Sequence, residues 1–587
     1  MPDILFINET KALALNQEIN GTLLLGTKLL AAGFDVKLLR FGQIRSYQKD
    51  YESFIRETTD RVLELQPKCI SCYTVWPHFH MMLRIAREVK ARAPHIITVF
   101  GGPQSTATAQ TTMEKIPYVD YVCTGEGENT VVPFFQALLR DGGKGLEDVP
   151  GLYRRVEGQV VRNTAEQPLC DLDTLPYWDD RLYLEDYDGP EPGIGAKDYF
   201  MPLDAGRGCP YSCSFCCTSH FWRRTYRLKS PERIVADIRY FRDKFGIRSF
   251  FFAHDAFTID KKLVTKVCDY MIVQDLGIHW MCSARVDCVT EELLQKMKQA
   301  GMVRIELGIE TGSKRMQKLI HKNLDLDRAR RMVKVMLDMK LNVSLFFMYG
   351  FPEETVEDLN DTLGFILDMK DMGVQNVNLF FTRFNPATEI TVKYMDQLVL
   401  DEKVDILSRG VFGYEEELPV IRENKELFPF LYHLHSQVRD EYQYLRLFPY
   451  LYEQFPNSVK FLRQLYKGDD LRFYRDVVRC SQDIFDRGAN AVVAQIKDDP
   501  FVFVEKVADL FDEPFIPQLK GLMRFVRDVQ KIRMSREDLV IEGEYGFNFL
   551  DFKMRKPIEA YSVGRTRFRL SKTGGVADMK VVKIWTE

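Results

Sequence analysis

No stretch of this 587-residue chain approaches the roughly 18 consecutive apolar residues that a membrane-spanning helix needs. The first residues, MPDILFINETKALALNQ, hold only short apolar runs beside acidic residues, which is not the pattern of a secretory signal or a transit peptide. The net charge of −4 provides no excess of positive charge for nucleic acid or for an anionic membrane surface. We therefore expect a cytoplasmic protein that binds neither nucleic acid nor membrane.

The chain also lacks internal repeats, low-complexity tracts and the regular cysteine spacing of a disulfide framework. Hydrophobic residues make up 45% of it, so it can bury a large core, and its length suggests about three or four domains. In a reducing compartment, cysteines serve more often as metal ligands or catalysts than as disulfides. Four of the twelve cysteines crowd into GRGCPYSCSFCCTSH, residues 206–220, which indicates a metal site.

Short apolar runs alternate with helical patterns over residues 1–145. DILFIN, DVKLLRF, CISCYT and IITVFGG predict parallel strands of a doubly wound, Rossmann-like sheet. Ligands of such sheets bind at the carboxyl ends of the strands. Glycines follow two of these ends, as Gly101 and Gly102 and as Gly125 and Gly127, and glycine permits a positive φ or a close approach of backbone to ligand.

Three further regions follow this α/β domain. Residues 146–200 are rich in Pro, Asp and Tyr without periodicity, which predicts a linker. Six strand–helix units over residues 201–395 predict a closed or partly open barrel, a partial (β/α)6 barrel of the TIM type. Residues 396–587 are mainly helical and aromatic with short strands at the end, and we expect them to shape or cover a substrate pocket. Aromatic stripes there are more often core than binding surface.

The cysteine motif is the most specific signal in the chain. Cys209, Cys213 and Cys216 form C-x3-C-x2-C, and thiolates select iron–sulfur clusters or zinc. A structural zinc site uses four ligands, usually in two separated pairs, and the adjacent Cys217 cannot easily point at the same metal as Cys216. Three ligands favour a [4Fe-4S] cube with one iron open to a small molecule. Zinc or an inert group of thiols is the alternative.

This spacing, with Phe215 before the last cysteine, resembles the signature of the radical S-adenosylmethionine (SAM) family. The resemblance implies that the open iron chelates the amino and carboxylate groups of SAM, and that the reduced cluster passes an electron to the sulfonium. It also implies an electron donor such as flavodoxin or ferredoxin. It places SAM-binding residues in the cysteine loop and at the barrel strand ends: Phe215, Asp255, Ser283, Arg285, Glu306, Glu310 and Tyr349. A structural ion pair between Arg285 and Glu310 is the alternative for those two.

The amino-terminal domain is similar to the cobalamin-binding domain of cobalamin-dependent radical SAM enzymes, and the likeness covers about residues 3–390, roughly two thirds of the chain. It is carried by NGTLLLGTKLLAAGFDVKLL, ITVFGGPQSTAT and VDYVCTGEGENTVVPFF. Many cobalamin proteins have D-x-H-x-x-G after the first strand, whereas this loop reads NETKALALNQ, so we expect base-off cobalamin without the usual histidine ligand. His78 and His80 are the alternatives. The implied cobalamin-binding residues are Ser71, Tyr73, Thr74, Trp76, Gly101, Gly102, Gly125, Glu126 and Gly127.

The resemblance implies a methyltransferase of natural product biosynthesis. A methyl group would pass from SAM through methylcobalamin to an unreactive carbon, or to phosphorus, of a small molecule or peptide. A radical rearrangement, ring contraction or cyclisation with the same cofactors is one alternative, and a non-catalytic redox or cobalamin sensor is another. The sequence identifies no catalytic base or radical relay.

Overall fold

The structure is a computed structural model, and two compact units make up the chain. The first comprises Met1–Ile309, Gln317–Val343 and Thr382–Ser436, and the second Glu310–Met316, Ser344–Phe381 and Gln437–Glu587. The structure describes residues 1–10, 20–163, 169–182, 200–400, 411–442, 444–447, 449, 463, 465–467, 469–487, 489–499, 502–511, 516–534, 539–545, 564–573 and 576–586.

The first unit opens with a seven-stranded sheet. Its strands are β1 (Ile4–Asn8), β2 (Val36–Arg40), β3 (Cys69–Tyr73), β4 (Ile97–Gly101), β5 (Tyr121–Cys123), β6 (Leu152–Val156) and β7 (Gln159–Arg162). They lie in the order β2-β1-β3-β4-β5-β6-β7. The first five are parallel, and their apolar residues are buried because helices cover such sheets on both faces. The helices are Asn20–Ala31, Tyr51–Leu65, Phe79–Arg92, Pro103–Lys115 and Val131–Leu139. The predicted doubly wound domain is confirmed.

The sheet extends into a region that the sequence assigns to a linker. β6 pairs antiparallel with β5 and with β7. The β6–β7 turn consists of Glu157 and Gly158, which have φ values of +51° and +79°. A two-residue turn with both φ angles positive matches the right-handed twist of a hairpin. The composition of residues 146–200 concealed this hairpin, and the four predicted domain ranges stay predictions.

A second parallel sheet follows, and all of it except Glu310, the last residue of its fourth strand, belongs to the first unit. Its strands are β8 (Met201–Asp204), β11 (Ser249–Ala253), β12 (His279–Ala284) and β13 (Met302–Glu310). Between β8 and β11 in the chain, β9 (Gly206–Arg207) and β10 (Arg227–Leu228) form a separate, small antiparallel pair. β8 pairs with β11, β11 with β12, and β12 with β13. The helices between them are Thr218–Phe221, Pro231–Phe245, Lys261–Gln274 and Glu291–Gln299, followed by Lys314–Leu319 and Leu326–Asp338. The carboxyl ends of the four parallel strands share one edge.

Residues 411–434 pack against the amino-terminal sheet domain within the first unit. Their short elements are Leu418–Glu423 and Tyr432–His433, which follow Glu389–Tyr394 and Val399–Leu400. The ring of Phe412 lies 5.4 Å from that of Tyr51, and the ring of Phe428 lies 5.7 Å from that of Phe79. Arg84 donates to the buried Glu417 carboxylate at 2.8 Å. An apolar core with a buried ion pair therefore joins this segment to two helices of the first domain.

The second unit contains two parallel strands, Asn342–Tyr349 and Asn376–Phe381, with the helix Val356–Met372 between them. Further helices are Gln437–Glu441, Asp470–Cys480, Gln482–Phe485, Ala489–Asp498, Val502–Ala508 and Ile516–Met534. An antiparallel sheet of Leu539–Tyr545, Gly564–Thr573 and Val576–Thr586 follows, with strands longer than the short ones predicted. The predicted α/β class with a helical carboxyl-terminal region is confirmed. Among the described residues, no helix combines the length and apolar character needed to cross a bilayer.

Candidate active site

The loop after β9 carries the three signature cysteines. It begins at Gly208, whose φ is +88° and where a Cβ atom would lie 2.2 Å from Thr225 O, so only glycine fits. Inside the loop, the Cys216 N–H donates to Cys213 O at 3.0 Å and closes a turn. The side chains of Cys209, Cys213 and Cys216 are partly exposed. The loop thus presents three sulfur atoms within eight residues.

Burial raises the pKa of two thiols of this loop, Cys209 and Cys217, so both are protonated near neutral pH in the absence of a cation. Burial raises the pKa of Cys209 to about 11, and the neighbouring Cys216 and Cys213 add to the rise. A hydrogen bond from the Tyr211 N–H lowers the pKa but does not offset the effect of burial. Burial raises the pKa of Cys217 to about 12. In the part of the chain that the structure describes, no three His, Cys, Asp or Glu side chains are arranged as ready metal ligands. Iron would displace the thiol protons and gather the sulfur atoms, and three cysteines suit a [4Fe-4S] cluster.

Arg285, predicted to bind SAM, lies beside this loop. It is 5% exposed and forms two bonds to Asp287, Nε to Oδ1 at 3.1 Å and Nη2 to Oδ2 at 2.9 Å. Its Nη2 also donates to Lys322 O at 2.9 Å, and its Nη1 lies 3.9 Å from Cys213 Sγ. The guanidinium carbon lies 3.8 Å from the centre of the Tyr211 ring. The structure therefore directs Arg285 towards the cysteine loop.

The other predicted strand-end residues of the first unit form two small groups. Asp255 follows β11 and accepts a bond from Thr218 Oγ1 at 3.2 Å, and burial raises the pKa of its carboxyl. Ser283 and Glu306 lie opposite each other on β12 and β13, with Oγ 3.5 Å from Oε2. Burial also raises the pKa of Glu306, although the positive charge of the nearby Arg304 acts to lower it. Their roles towards SAM stay predictions.

The remaining predicted SAM-binding residues differ in setting. Phe215 is partly buried against the hydrophobic core of the first unit. Glu310 and Tyr349 belong to the second unit. Glu310 is buried with φ at +71°, a conformation that costs energy in a non-glycine residue and that clusters at functional sites. Tyr349 is fully buried, and its hydroxyl donates to Tyr442 O at 3.2 Å.

The predicted cobalamin loops begin with a contact between the ends of β3 and β4. Thr74 Oγ1 donates to Gly101 O at 2.8 Å and accepts from the Ser105 N–H at 3.1 Å. Gly102 has φ at +96°, and a Cβ atom there would lie 2.7 Å from Thr74 O. Ser71 and Tyr73 lie on β3, and Trp76 begins a short 3-10 helix after it. These bonds and the close approach of Gly102 to Thr74 fix the ends of β3 and β4, which is the edge where the ligands of such sheets bind.

The loop after β5 is closed in a similar way. The Gly125 N–H donates to Thr106 Oγ1 at 2.9 Å, and Gly125 has φ at +70°. A Cβ atom on Gly127 would lie 3.0 Å from a side-chain carbon of Leu25. Both glycines therefore meet a conformational or steric need, as a loop that approaches a ligand would require.

Glu126, whose role towards cobalamin stays a prediction, takes part in a buried ion-pair network that the sequence did not reveal. Its carboxylate pairs with Arg227 and lies 3.7 Å from Arg207 Nη1. Arg207 also pairs with Glu128 at 2.6 Å and Asp204 at 3.1 Å. The network joins the loop after β5 to β8 and β9, directly before the cysteine loop. Glu128 lies 79 residues from Arg207 and Glu126 lies 101 residues from Arg227, so no local pattern indicated these two pairs, whereas Asp204 is only three residues from Arg207.

The histidines considered as cobalt ligands lie after β3. His80 is fully buried, and its Nε2 lies 2.7 Å from Phe412 O, so the core already uses this ring. His78 Nδ1 contacts the Glu9 carboxylate, and burial lowers the pKa of His78 to about 4. Residues 11–17 of the loop NETKALALNQ lie outside the described residues. The absence of the usual histidine ligand stays a prediction.

Comparison with known proteins matches two family models to these regions. Residues 204–366 match the radical SAM superfamily, and residues 20–134 match the B12 binding domain. The chain is 28% identical to the anaerobic magnesium-protoporphyrin IX monomethyl ester cyclase of Rubrivivax gelatinosus, over 52% of this chain and 55% of that protein. It is 30% identical to an uncharacterised methyltransferase of Pyrococcus horikoshii, over 48% of this chain and 60% of that protein.

Among solved structures, the chain is similar to the radical SAM methyltransferase TsrM from Kitasatospora setae with tryptophan and a SAM analogue bound. The TM-score is 0.56 at 16% identity, over 68% of this chain and 78% of that one, which establishes a likeness of fold. The chain spans little more than half the length of the curated relatives it matches.

Proposed function

We propose that this chain, a cobalamin-dependent radical SAM enzyme with a B12-binding domain, transfers a methyl group from SAM to an unreactive carbon, or to phosphorus, of a small molecule or peptide. The observation that carries the proposal is the joining, within one compact unit, of a three-cysteine loop to a doubly wound sheet with glycine-rich strand ends. When bound, the cluster, SAM and cobalamin supply one-electron and methyl-carrying chemistry. The methyltransferase of Pyrococcus horikoshii among the relatives agrees with this choice.

The residues of the chain have separate tasks in this proposal. Cys209, Cys213 and Cys216 would hold a [4Fe-4S] cluster by their thiolates, and the cluster would supply the electron that SAM cleavage needs. Asp255, buried and bonded to Thr218 beside the loop, accepts a hydrogen bond from the amino group of SAM. The strand-end surface around Thr74 and the glycines holds cobalamin through backbone and hydroxyl groups.

The second candidate is a radical cyclisation or rearrangement with the same cofactors. It is favoured by the relative from Rubrivivax gelatinosus, which is named as a cyclase. Methyl transfer consumes SAM and yields S-adenosylhomocysteine, whereas a cyclisation started by SAM cleavage yields 5′-deoxyadenosine without it.

The test is anaerobic reconstitution of the full chain with iron, sulfide and cobalamin, followed by incubation with methyl-labelled SAM, dithionite and a lysate of the source organism. S-adenosylhomocysteine together with a labelled small molecule or peptide supports the proposal. Deoxyadenosine without either supports the cyclase candidate. No SAM consumption at all favours a non-catalytic sensor. Cys213→Ala is the matched blank, because it removes one cluster ligand from the same preparation.

A further inference from the structure

Contacts with Asp287, Lys322 and Tyr211 hold the Arg285 guanidinium in place beside the cysteine loop. Its Nε and Nη2 bind both oxygens of Asp287 at 3.1 and 2.9 Å, and Nη2 also binds Lys322 O at 2.9 Å. The guanidinium lies 3.8 Å from the ring centre of Tyr211 and is buried. Because the guanidinium presents its donors in a rigid fork, these contacts fix where the remaining donors point.

The donor at Nη1 points at a predicted cluster ligand. Nη1 lies 3.9 Å from Cys213 Sγ, within the range of a hydrogen bond to sulfur. Tyr211, which lies under the guanidinium, has its hydroxyl 3.2 Å from Cys288 Sγ. A rotation of the guanidinium away from Cys213 would break its bonds to Asp287 and Lys322. The positive charge of Arg285 is therefore held next to Cys213 Sγ.

Such a placement has an electrostatic consequence for a cluster. Net charge and hydrogen bonds to the sulfur atoms set the reduction potential of iron–sulfur clusters. Reduction adds one negative charge, so a nearby cation and an N–H bond to sulfur stabilise the reduced state and raise the potential. Asp287, whose side chain is 31% exposed, partly cancels the charge of Arg285.

We propose that Arg285 is a positioning residue that raises the reduction potential of the cluster through Cys213, and that Asp287 limits this rise. The step concerned is the transfer of one electron from a low-potential donor protein, or from dithionite, to the oxidised cluster, and it moves no proton and breaks no bond. The proposal rests on the three-cysteine cluster and not on methyl transfer, so the product assay above can fail or succeed independently of it.

The test compares the full chain with Arg285→Met, Arg285→Lys and Asp287→Asn after anaerobic reconstitution. Iron and sulfide per chain are measured first, and the midpoint potential is then determined without SAM by a redox titration followed by electron paramagnetic resonance. We expect a lower potential for Arg285→Met, a higher one for Asp287→Asn, and an intermediate one for Arg285→Lys, which keeps the charge and loses the fork. General loosening of the loop would not shift the two charge variants in opposite directions.

Two results would overturn the proposal. If Arg285 binds the carboxylate of SAM instead, Arg285→Met leaves the SAM-free potential unchanged and weakens SAM binding in equilibrium dialysis. If Asp287→Asn does not raise the potential, the counter-charge role is excluded, and this holds even where Arg285→Met fails to retain its cluster.

Discussion

The predicted cobalamin loops, which follow the parallel strands β3, β4 and β5, and the cysteine loop, which follows the antiparallel strand β9, are held by the chain in opposite ways. Around Thr74 and Gly102, hydroxyl and backbone groups bond to one another and close the surface before any ligand arrives. The cysteine loop instead presents partly exposed sulfur atoms whose protons iron must displace. The first site is shaped by the fold, whereas the second is completed by its cofactor.

The largest effect, on bound iron, should come from removing a cysteine of the cysteine loop. Replacing Cys209, Cys213 or Cys216 with Ala removes one of three ligands, so we expect loss of nearly all bound iron and of SAM cleavage. Cys217→Ala is the matched control, because the adjacent thiol should not bind the cluster. Iron and sulfide counted per chain after anoxic reconstitution decide the matter. Equal iron in Cys216→Ala and Cys217→Ala would contradict the assignment of ligands.

The next effect concerns the network that joins the two sites. Arg207→Met leaves Glu128, Asp204 and Glu126 without their shared cation in a buried setting. Breaking a buried pair from one side costs about 3–5 kcal/mol, so the free energy of unfolding should fall by about that much. The measurement is denaturant unfolding of the cofactor-free chain. A loss below 1 kcal/mol would show that the network is solvated in solution.

A surface pair on the same unit provides the reference for this measurement. Lys334 binds Asp338 at 3.0 Å, but both side chains are about two-thirds exposed, at 66% and 64%. Exposed pairs contribute about 0–1 kcal/mol, so Lys334→Gln should change the free energy of unfolding very little. The difference between the two variants isolates the effect of burial.

A smaller effect tests whether the fold shapes the cobalamin-type loops. Gly102→Ala introduces a Cβ atom 2.7 Å from Thr74 O, at a φ of +96° and ψ of −178° that is nearly restricted to glycine. Strain of this kind costs about 1–3 kcal/mol, and we expect weaker cobalamin binding in addition. Unfolding curves and a cobalamin titration followed by absorbance measure the two.

Gly158→Ala is the control for the backbone alone. Gly158 has φ at +79° in the β6–β7 turn, and nothing lies within 4 Å of a Cβ atom there. It should cost about 1–2 kcal/mol from its left-handed conformation, and it should leave cobalamin binding unchanged. Equal loss of cobalamin affinity in both glycine variants would show that the loop at Gly102 is not a shaped surface.

How much of each site the sequence could predict depends on how far apart in the chain the contacting residues lie. The cysteine spacing and the strand-end glycines are local patterns, so they were found from the chain alone. The contact of Arg285 with Cys213 and the pairing of Arg207 with Glu128 join residues 72 and 79 positions apart. Charge patterns at such separations do not reveal partners, so the sequence could not predict these contacts, and the ligand roles given to Arg285 and Glu126 stay predictions. The hairpin of β6 and β7 was not predicted, because its strands and its two-residue turn are short and lie in a region whose Pro-rich composition is typical of a linker.

The smallest effect is the pH dependence of the reactivity of Cys209, which tests the difference between the two sites. Burial raises the pKa of Cys209 to about 11, so the iron-free chain holds this thiol protonated at neutral pH. Relative to an ordinary thiol with a pKa of about 8.5, the thiolate fraction at pH 7.5 should be lower by about two orders of magnitude. Alkylation of Cys209 by iodoacetamide, read by peptide mass spectrometry, should rise about tenfold per pH unit and level off only near pH 11.

Denaturation in urea is the control for this rate, because unfolding removes the burial that raises the pKa and should return the levelling-off to about pH 8.5. A rate that already levels off near pH 8.5 in the folded chain would show a preformed thiolate loop. The cysteine loop would then be organised before its cofactor arrives, as the loop around Thr74 is, and the contrast between the two sites would disappear. A delayed rise means that iron supplies the positive charge that keeps the sulfur atoms ionised, so cluster assembly releases protons and is favoured by higher pH.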